Sequence, residues 1–186
     1  MIPLRPSRSR LLLLTALALL ISLISAGCSV DETLPFPDCI EGGSALIAAQ
    51  SVPTADLVPC LTGLPNGWDL DSVTINQDGT VVRLDSDRAG DGAAHLRFAE
   101  ECDLGGAISV PGTLDGAERF ELIERVEPGF RASRFYVFRG GCAWWDFDFV
   151  AGATSALSVE VGDYLSLVTR VSINEGIRES FIDEEL

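Results

Sequence analysis

The chain has 186 residues, a formal net charge of −15, five Cys, a single His (His95) and no Lys, its cations being 13 Arg. Without Lys there is no phosphate-loop lysine, no Schiff-base lysine and no Ser–Lys dyad, and one His rules out any metal site built on two imidazoles. So acidic a chain lacks the basic surface that neutralises phosphates, and no nucleic-acid partner is expected.

At the N-terminus, Arg5, Arg8 and Arg10 precede the apolar run Leu11 to Ile24, then Ser25-Ala26-Gly27 and Cys28. Basic, apolar, then small is the order of an export signal. With Cys directly behind Ala-Gly, the segment resembles a bacterial lipoprotein signal. The resemblance implies that residues 1–27 are removed and that Cys28 is lipidated as the mature N-terminus. Loss of three Arg would take the net charge from −15 to −18. A retained anchor competes with this reading, because Leu11 to Val30 is 20 residues, enough to cross about 30 Å of hydrocarbon; simple secretion is the third possibility. All three leave the Arg side in the cytoplasm and everything after Cys28 outside, on the extracytoplasmic side of the cell membrane.

Residues 28–38, with Pro35, Pro37 and three acids, read as a tether. Beyond it, Cys39, Cys60, Cys102 and Cys142 form an even set in an oxidising compartment, so two disulfides are expected. Of the three connectivities, Cys39–Cys60 and Cys102–Cys142 are favoured, because each joins segments that lie close in a meander. Zinc is the rival use of the four thiols, but no C-x-x-C spacing is present.

Gly42, Gly43, Pro53, Pro59 and Pro65 argue against long regular structure over residues 39–66. A single helical turn, capped by Thr54 and stopped by Gly63, is expected from Ala55 to Leu61. From Trp68 the pattern is that of strands. Leu70, Val73 and Ile75, the turn Asn76-Gln77-Asp78-Gly79, and Val81, Val82 and Leu84 predict a hairpin. Ala94, Leu96 and Phe98 alternate on a third strand, and Gly-rich residues 103–118 read as a long connection. Strands follow around Phe120 and Leu122, Phe135 to Phe138 and Trp144 to Val150, with turns at Glu127-Pro128-Gly129 and Gly140-Gly141. Such short turns require antiparallel pairing. Leu157, Val161, Tyr164, Leu165 and Val168 keep a helical spacing behind Thr154 or Ser155 as cap. Together these predict a single disulfide-stapled α+β domain over residues 39–174: an antiparallel sheet of about six strands, a C-terminal helix, and an acidic tail over 175–186.

Ser51-Val52-Pro53-Thr54-Ala55 with Val58-Pro59-Cys60, Leu84-Asp85-Ser86-Asp87-Arg88-Ala89-Gly90, and Tyr136-Val137-Phe138-Arg139-Gly140-Gly141-Cys142 resemble a group of uncharacterised actinobacterial envelope proteins. The resemblance spans most of residues 28–186. It implies a location and no activity, ligand or catalytic residue. Arg without Lys, beside abundant Ala, Gly and Asp, fits the codon usage of a GC-rich genome.

Four segments bear on chemistry. In Trp144-Trp145-Asp146-Phe147-Asp148-Phe149, a strand puts Trp144, Asp146 and Asp148 on one face, with the carboxylates about 7 Å apart along the strand. That is within the ~5–10 Å used by glycoside hydrolases, though an aromatic core face backed by a polar outer face explains the pattern equally well. Asp85 to Gly92 begins like a Ca²⁺ loop, but Ala89 and Leu96 stand where ligands belong, so a solvated turn is the better account. His95 falls opposite Leu96 and Phe98, with no base partner identified in sequence and no Gly-x-Ser-x-Gly elbow anywhere. Lastly, Arg119, Arg125, Arg131, Arg134 and Arg139 fall within 21 residues among aromatic rings, a local reversal of charge. Either they pair with the surplus acids, or Arg131 and Arg134, with Tyr136 and Trp144, bind an anion.

The expectation is a membrane-tethered, extracytoplasmic binding or structural protein of the cell envelope. It needs no cofactor or metal and carries no catalytic residue; its partner would be an anionic envelope component or a membrane protein. The alternative is a carboxylate-based hydrolase of an envelope polysaccharide, acting through Asp146 and Asp148.

Overall fold

A computed structural model describes residues 43–173 with Cys39 and Glu175. The export segment 1–27, the tether 28–38 and the tail beyond Glu175 lie outside the described residues. No described helix is long and apolar enough to cross a membrane.

In chain order the elements are α1 (Gly43–Ser51), β1 (Leu57–Leu61), β2 (Trp68–Asn76), β3 (Gly79–Ser86), β4 (Gly90–Ala99), β5 (Ile108–Val110), β6 (Glu118–Arg125), β7 (Arg131–Phe138), β8 (Gly141–Asp148), α2 (Ala156–Gly162) and β9 (Leu165–Thr169). β2 to β8 form one sheet, in the order β2-β3-β4-β8-β7-β6-β5, and β1 pairs with β9 in a second. Every pairing is antiparallel, as the short turns require. The main sheet thus joins two meanders along the β4–β8 ladder.

That position makes β8 the central strand and explains its composition. Trp145 and Phe147, with Phe149 just beyond, point to one face and are almost completely buried. Their rings continue through Phe130 and Trp68 at centroid separations of 5.5–6.2 Å. Leu96 and Ala94 of β4 lie directly beside them. Over one half of this inner face pack Leu157 and Val161 of α2, with Leu165. Over the other half, Ala48 and Ala49 of α1 and Val52 just after it pack with Val58 against Phe98, Phe138 and Ala143. Burying such large side chains contributes about 1.5–3 kcal/mol each, so the aromatic row of β8 and its neighbours dominates the core.

Both disulfides join the expected partners. Cys39–Cys60 ties the chain ahead of α1 to β1. Cys102–Cys142 fastens the β4–β5 connection onto the opposite, outer face of β8.

The structure corrects the sequence reading in five places. The sheet has seven strands and a second ribbon of two, so the fold is richer in sheet than a simple α+β arrangement. Residues 108–110, expected as loop, add the edge strand β5. The segment expected as irregular opens with a helix, α1, in a stretch without Pro. The helical turn expected from Ala55 to Leu61 is strand β1, whose Pro59 is tolerated because β1 has a partner on one side only. Thr54 does not cap a helix: its hydroxyl donates to the Gly140 carbonyl at 2.7 Å, with Glu100 at 2.9 Å. Finally, the long C-terminal helix is α2 alone. It ends at Gly162, and Leu165 to Thr169 instead pair with β1. Ser155 occupies the N-cap position without a side-chain cap bond.

Candidate functional site

All five Arg of the β6–β7 region have carboxylate partners, but they do not form one patch. A strand alternates its faces, and Arg131 and Arg134, three residues apart, therefore project to opposite sides of β7. Arg131 and Trp144 lie on the outer face; Arg134 and Tyr136 lie on the inner one. The four residues expected to share a ligand are thus split by the sheet. Arg139 pairs with Asp56 beyond the end of β7.

On the outer face, Arg131 and Arg125 (3.1 Å) both reach Asp148. The Arg131 hydrogen bond holds the Asp148 carboxyl below its ordinary range. Asp146 accepts from Arg97 Nε and Ser133 Oγ, both at 2.8 Å, and from Trp144 Nε1 at 3.2 Å. Trp144 is also stacked on Phe135, with centroids 6.4 Å apart, so it is no free platform for a sugar. His95 stands beside Asp146 in the β4–β8 register. Burial, then Arg97 and Arg83, push its pKa down, against the opposing pull of Asp146 and Asp71. His95, Arg97, Arg131, Ser133, Asp146 and Asp148 line a shallow polar depression of about 320 Å³. A glycosidase needs one carboxyl kept protonated by apolar surroundings, whereas here each carboxylate already has guanidinium donors.

The turn from Asp85 to Gly92 is held by its own side chains. Asp85 Oδ1 accepts from the Gly92 amide at 2.7 Å, and Ser86 Oγ accepts from the amides of Arg88 and Ala89. Among the described residues, no group of three or more His, Cys, Asp or Glu is placed to hold a metal ion.

The inner face holds a different arrangement. β6 places Arg119, Glu121 and Ile123 inward by period two, and Glu121 is the direct register partner of Arg134. Arg134 Nε donates to Glu121 Oε1 at 2.8 Å, and Arg119 Nη2 donates to the same oxygen. Burial of Glu121 favours its neutral form, but the two guanidinium bonds outweigh this and lower its pKa. Arg134 Nη1 continues across to α2, donating to the Ser158 carbonyl at 3.2 Å, and its guanidinium lies over the Phe147 ring at 5.7 Å. Its side chain is only 10% exposed. Arg119 Nε is buried and has no acceptor among the described residues. Tyr136, the register partner of Arg119, is buried in the same face, which raises its pKa.

Arg119, Glu121, Arg134 and Ser158 line a cleft of about 310 Å³ between β6, β7 and α2, whose other walls include Ile123, Phe147 and Val159. Two guanidiniums share one carboxylate there, leaving one positive charge in excess. The outer trio of Arg125, Arg131 and Asp148 has the same stoichiometry, but its side chains are 39–51% exposed and so are screened by water and salt. In the inner cleft the same excess acts across a lower effective dielectric.

Sequence reasoning found Arg134 but missed Arg119 and Glu121 as its partners, and α2 as the cover. The parity of β7 carried part of the signal: Ala132, Arg134, Tyr136 and Phe138 share one face, so an Arg in that series is an inward-pointing cation. The sequence matches no family model, and neither a curated protein nor a solved structure matches it.

Proposed function

We propose that this chain is a membrane-tethered binding protein on the extracytoplasmic side of the cell envelope, and that it holds an anionic ligand in the cleft of Arg119 and Arg134. One observation carries the reading: both guanidiniums converge on a single oxygen of Glu121. In a chain of net charge −15, a shielded excess of positive charge is the feature that an anion complements. The tether rests on the leader and Cys28, which would be lipidated. The ligand would then be an anionic envelope component or an acidic group of a membrane protein. The hydrolase alternative draws less support, because Asp146 and Asp148 are both engaged by Arg on the outer face.

The test is capture of envelope fractions by the full chain at graded salt. Arg134→Met and Arg119→Met should each abolish the salt-sensitive part of capture, while Arg131→Met should leave it intact. Dependence on Arg131 with indifference to Arg134 would overturn the reading. In the same cells, Cys28→Ala should remove lipid label and release the chain from the membrane; retention of residues 1–27 in the wild type would replace the lipid anchor with a helix.

A further inference from the structure

We propose that the ligand of the inner cleft is a monoanionic amphiphile, a carboxylate on a single apolar chain of medium length, such as a fatty acid. This rests on the binding reading above and names the class of ligand. The head group follows from charge and shape. The excess is one positive charge, which a monoanion neutralises and a dianion would overshoot. A planar carboxylate matches the fork of a guanidinium.

The apolar chain follows from the walls. Ile123 and Val159 line the cleft, yet are 58% and 51% exposed. Ile108, the register partner of Glu121, extends the apolar strip toward the β5 edge and is 66% exposed. Isolated exposed apolar residues are ordinary, but these three adjoin a shielded cation, and all would gain by covering. The cleft, about 310 Å³, leaves room for several methylenes beyond the head group, and octanoate is a chain of that order.

The probe is therefore octanoate, ¹³C-labelled at the carboxylate and titrated by NMR into the full chain in lipid nanodiscs. Acetate and octanol are the controls, and nanodiscs without protein correct for partition into the bilayer. Octanoate should bind saturably at one site. Affinity should rise about three- to fourfold for each methylene added beyond acetate, until the cleft is full. Octanol should bind about tenfold more weakly or worse, and Arg134→Met should reduce octanoate binding by a similar factor. Should Arg134→Met fail to fold, Ile123→Ser with Val159→Ser, both at exposed positions, should still cut the ratio of octanoate to acetate affinity.

Equal binding of acetate and octanoate would overturn the amphiphile and leave the anion site standing. Equal binding of octanol and octanoate would overturn both, since charge would then play no part. Failure of octanoate to bind, while Arg134-dependent capture of envelope fractions persists, would overturn the amphiphile alone; loss of both signals would overturn both readings.

Discussion

Gly162 leaves room for the guanidinium of Arg134. A Cβ on Gly162, the last residue of α2, would overlap Arg134 Nη1, the atom that bonds the Ser158 carbonyl. A glycine is normally a weakness within a helix, by up to about 1 kcal/mol relative to Ala. Here it lets a cation of the sheet reach the helix backbone.

Gly162→Ala should therefore separate stability from binding. The clash falls on the tip of a flexible side chain, so the guanidinium can move aside while the helix gains propensity. The melting temperature should hold or rise slightly, and Arg134-dependent capture should fall several-fold. A large drop in melting temperature would mean that Arg134 cannot give way, and that its bond to Ser158 holds α2 in place.

Acid should destabilise the domain in two stages. His95 is held below its ordinary 6.5, chiefly by burial and then by Arg97 and Arg83. The unfolded chain consequently takes up that proton first, and stability declines as pH falls from about 6.5 toward the lower folded value. Glu121 and Asp148 are held below their ordinary 4.5 and 3.8. Their contribution is fully present above those values and is lost as pH falls through the folded ones. Most of the lower stage belongs to Glu121, because Asp148 and Glu160, the latter lowered by its hydrogen bond from Arg88, are more exposed and screened. Denaturation midpoints measured across pH should show both stages. His95→Gln should remove the upper one, and Glu121→Gln should diminish the lower.

The Cys102–Cys142 bridge closes a span of 40 residues, and on the chain-entropy account its removal should cost about 3–4 kcal/mol. It also fixes the β4–β5 connection over the outer face, where Phe135 and Trp144 stack. Cys102→Ser with Cys142→Ser should lower stability by that order and raise solvent quenching of Trp144 fluorescence. Envelope capture should persist, because the inner cleft lies on the other side of the sheet. Loss of capture at temperatures where the variant remains folded would show the two faces to be coupled.

Arg170 closes the chain just beyond the C-terminus of α1. It donates to the carbonyls of Ala49 and Val52, both at 2.7 Å, and of Ala55 at 3.0 Å; that of Ala49 belongs to the last turn of α1, where carbonyls have no intrahelical donor. Arg170→Met should cost about 2–4 kcal/mol by removing these charge-assisted hydrogen bonds. It should also speed amide exchange in Gly43–Ser51 well before it affects β8. Uniform acceleration across the sheet would instead mark Arg170 as a determinant of global stability.

The hairpin of β2 and β3, the aromatic face of β8 and the antiparallel order of the strands were all legible in the sequence. Each is written in period-two alternation and in turns such as Asn76 to Gly79, which act over a few neighbouring residues. The even set of Cys outside the leader likewise implied two bridges. What could not be read there was which strands become neighbours. β4 lies against β8, 142 to 147 in register with 94 to 99, so β5, β6 and β7 are inserted between them in sequence and not in space. The same limit hid β1 and β9: each is short, and Pro59 in one and the helical spacing that runs into Leu165 and Val168 in the other mask it, until pairing with the other supplies its hydrogen bonds.

The cleft shows the limit most clearly. The sequence alone determined that the chain concentrates Arg between residues 119 and 139, and strand parity determined that Arg134 points with Tyr136 away from Arg131. Only the tertiary structure decided that Arg119 and Arg134 meet on one oxygen of Glu121 and that α2 covers them. A cation's partners are set by which elements pack together, whereas its direction on a strand is set by its immediate neighbours.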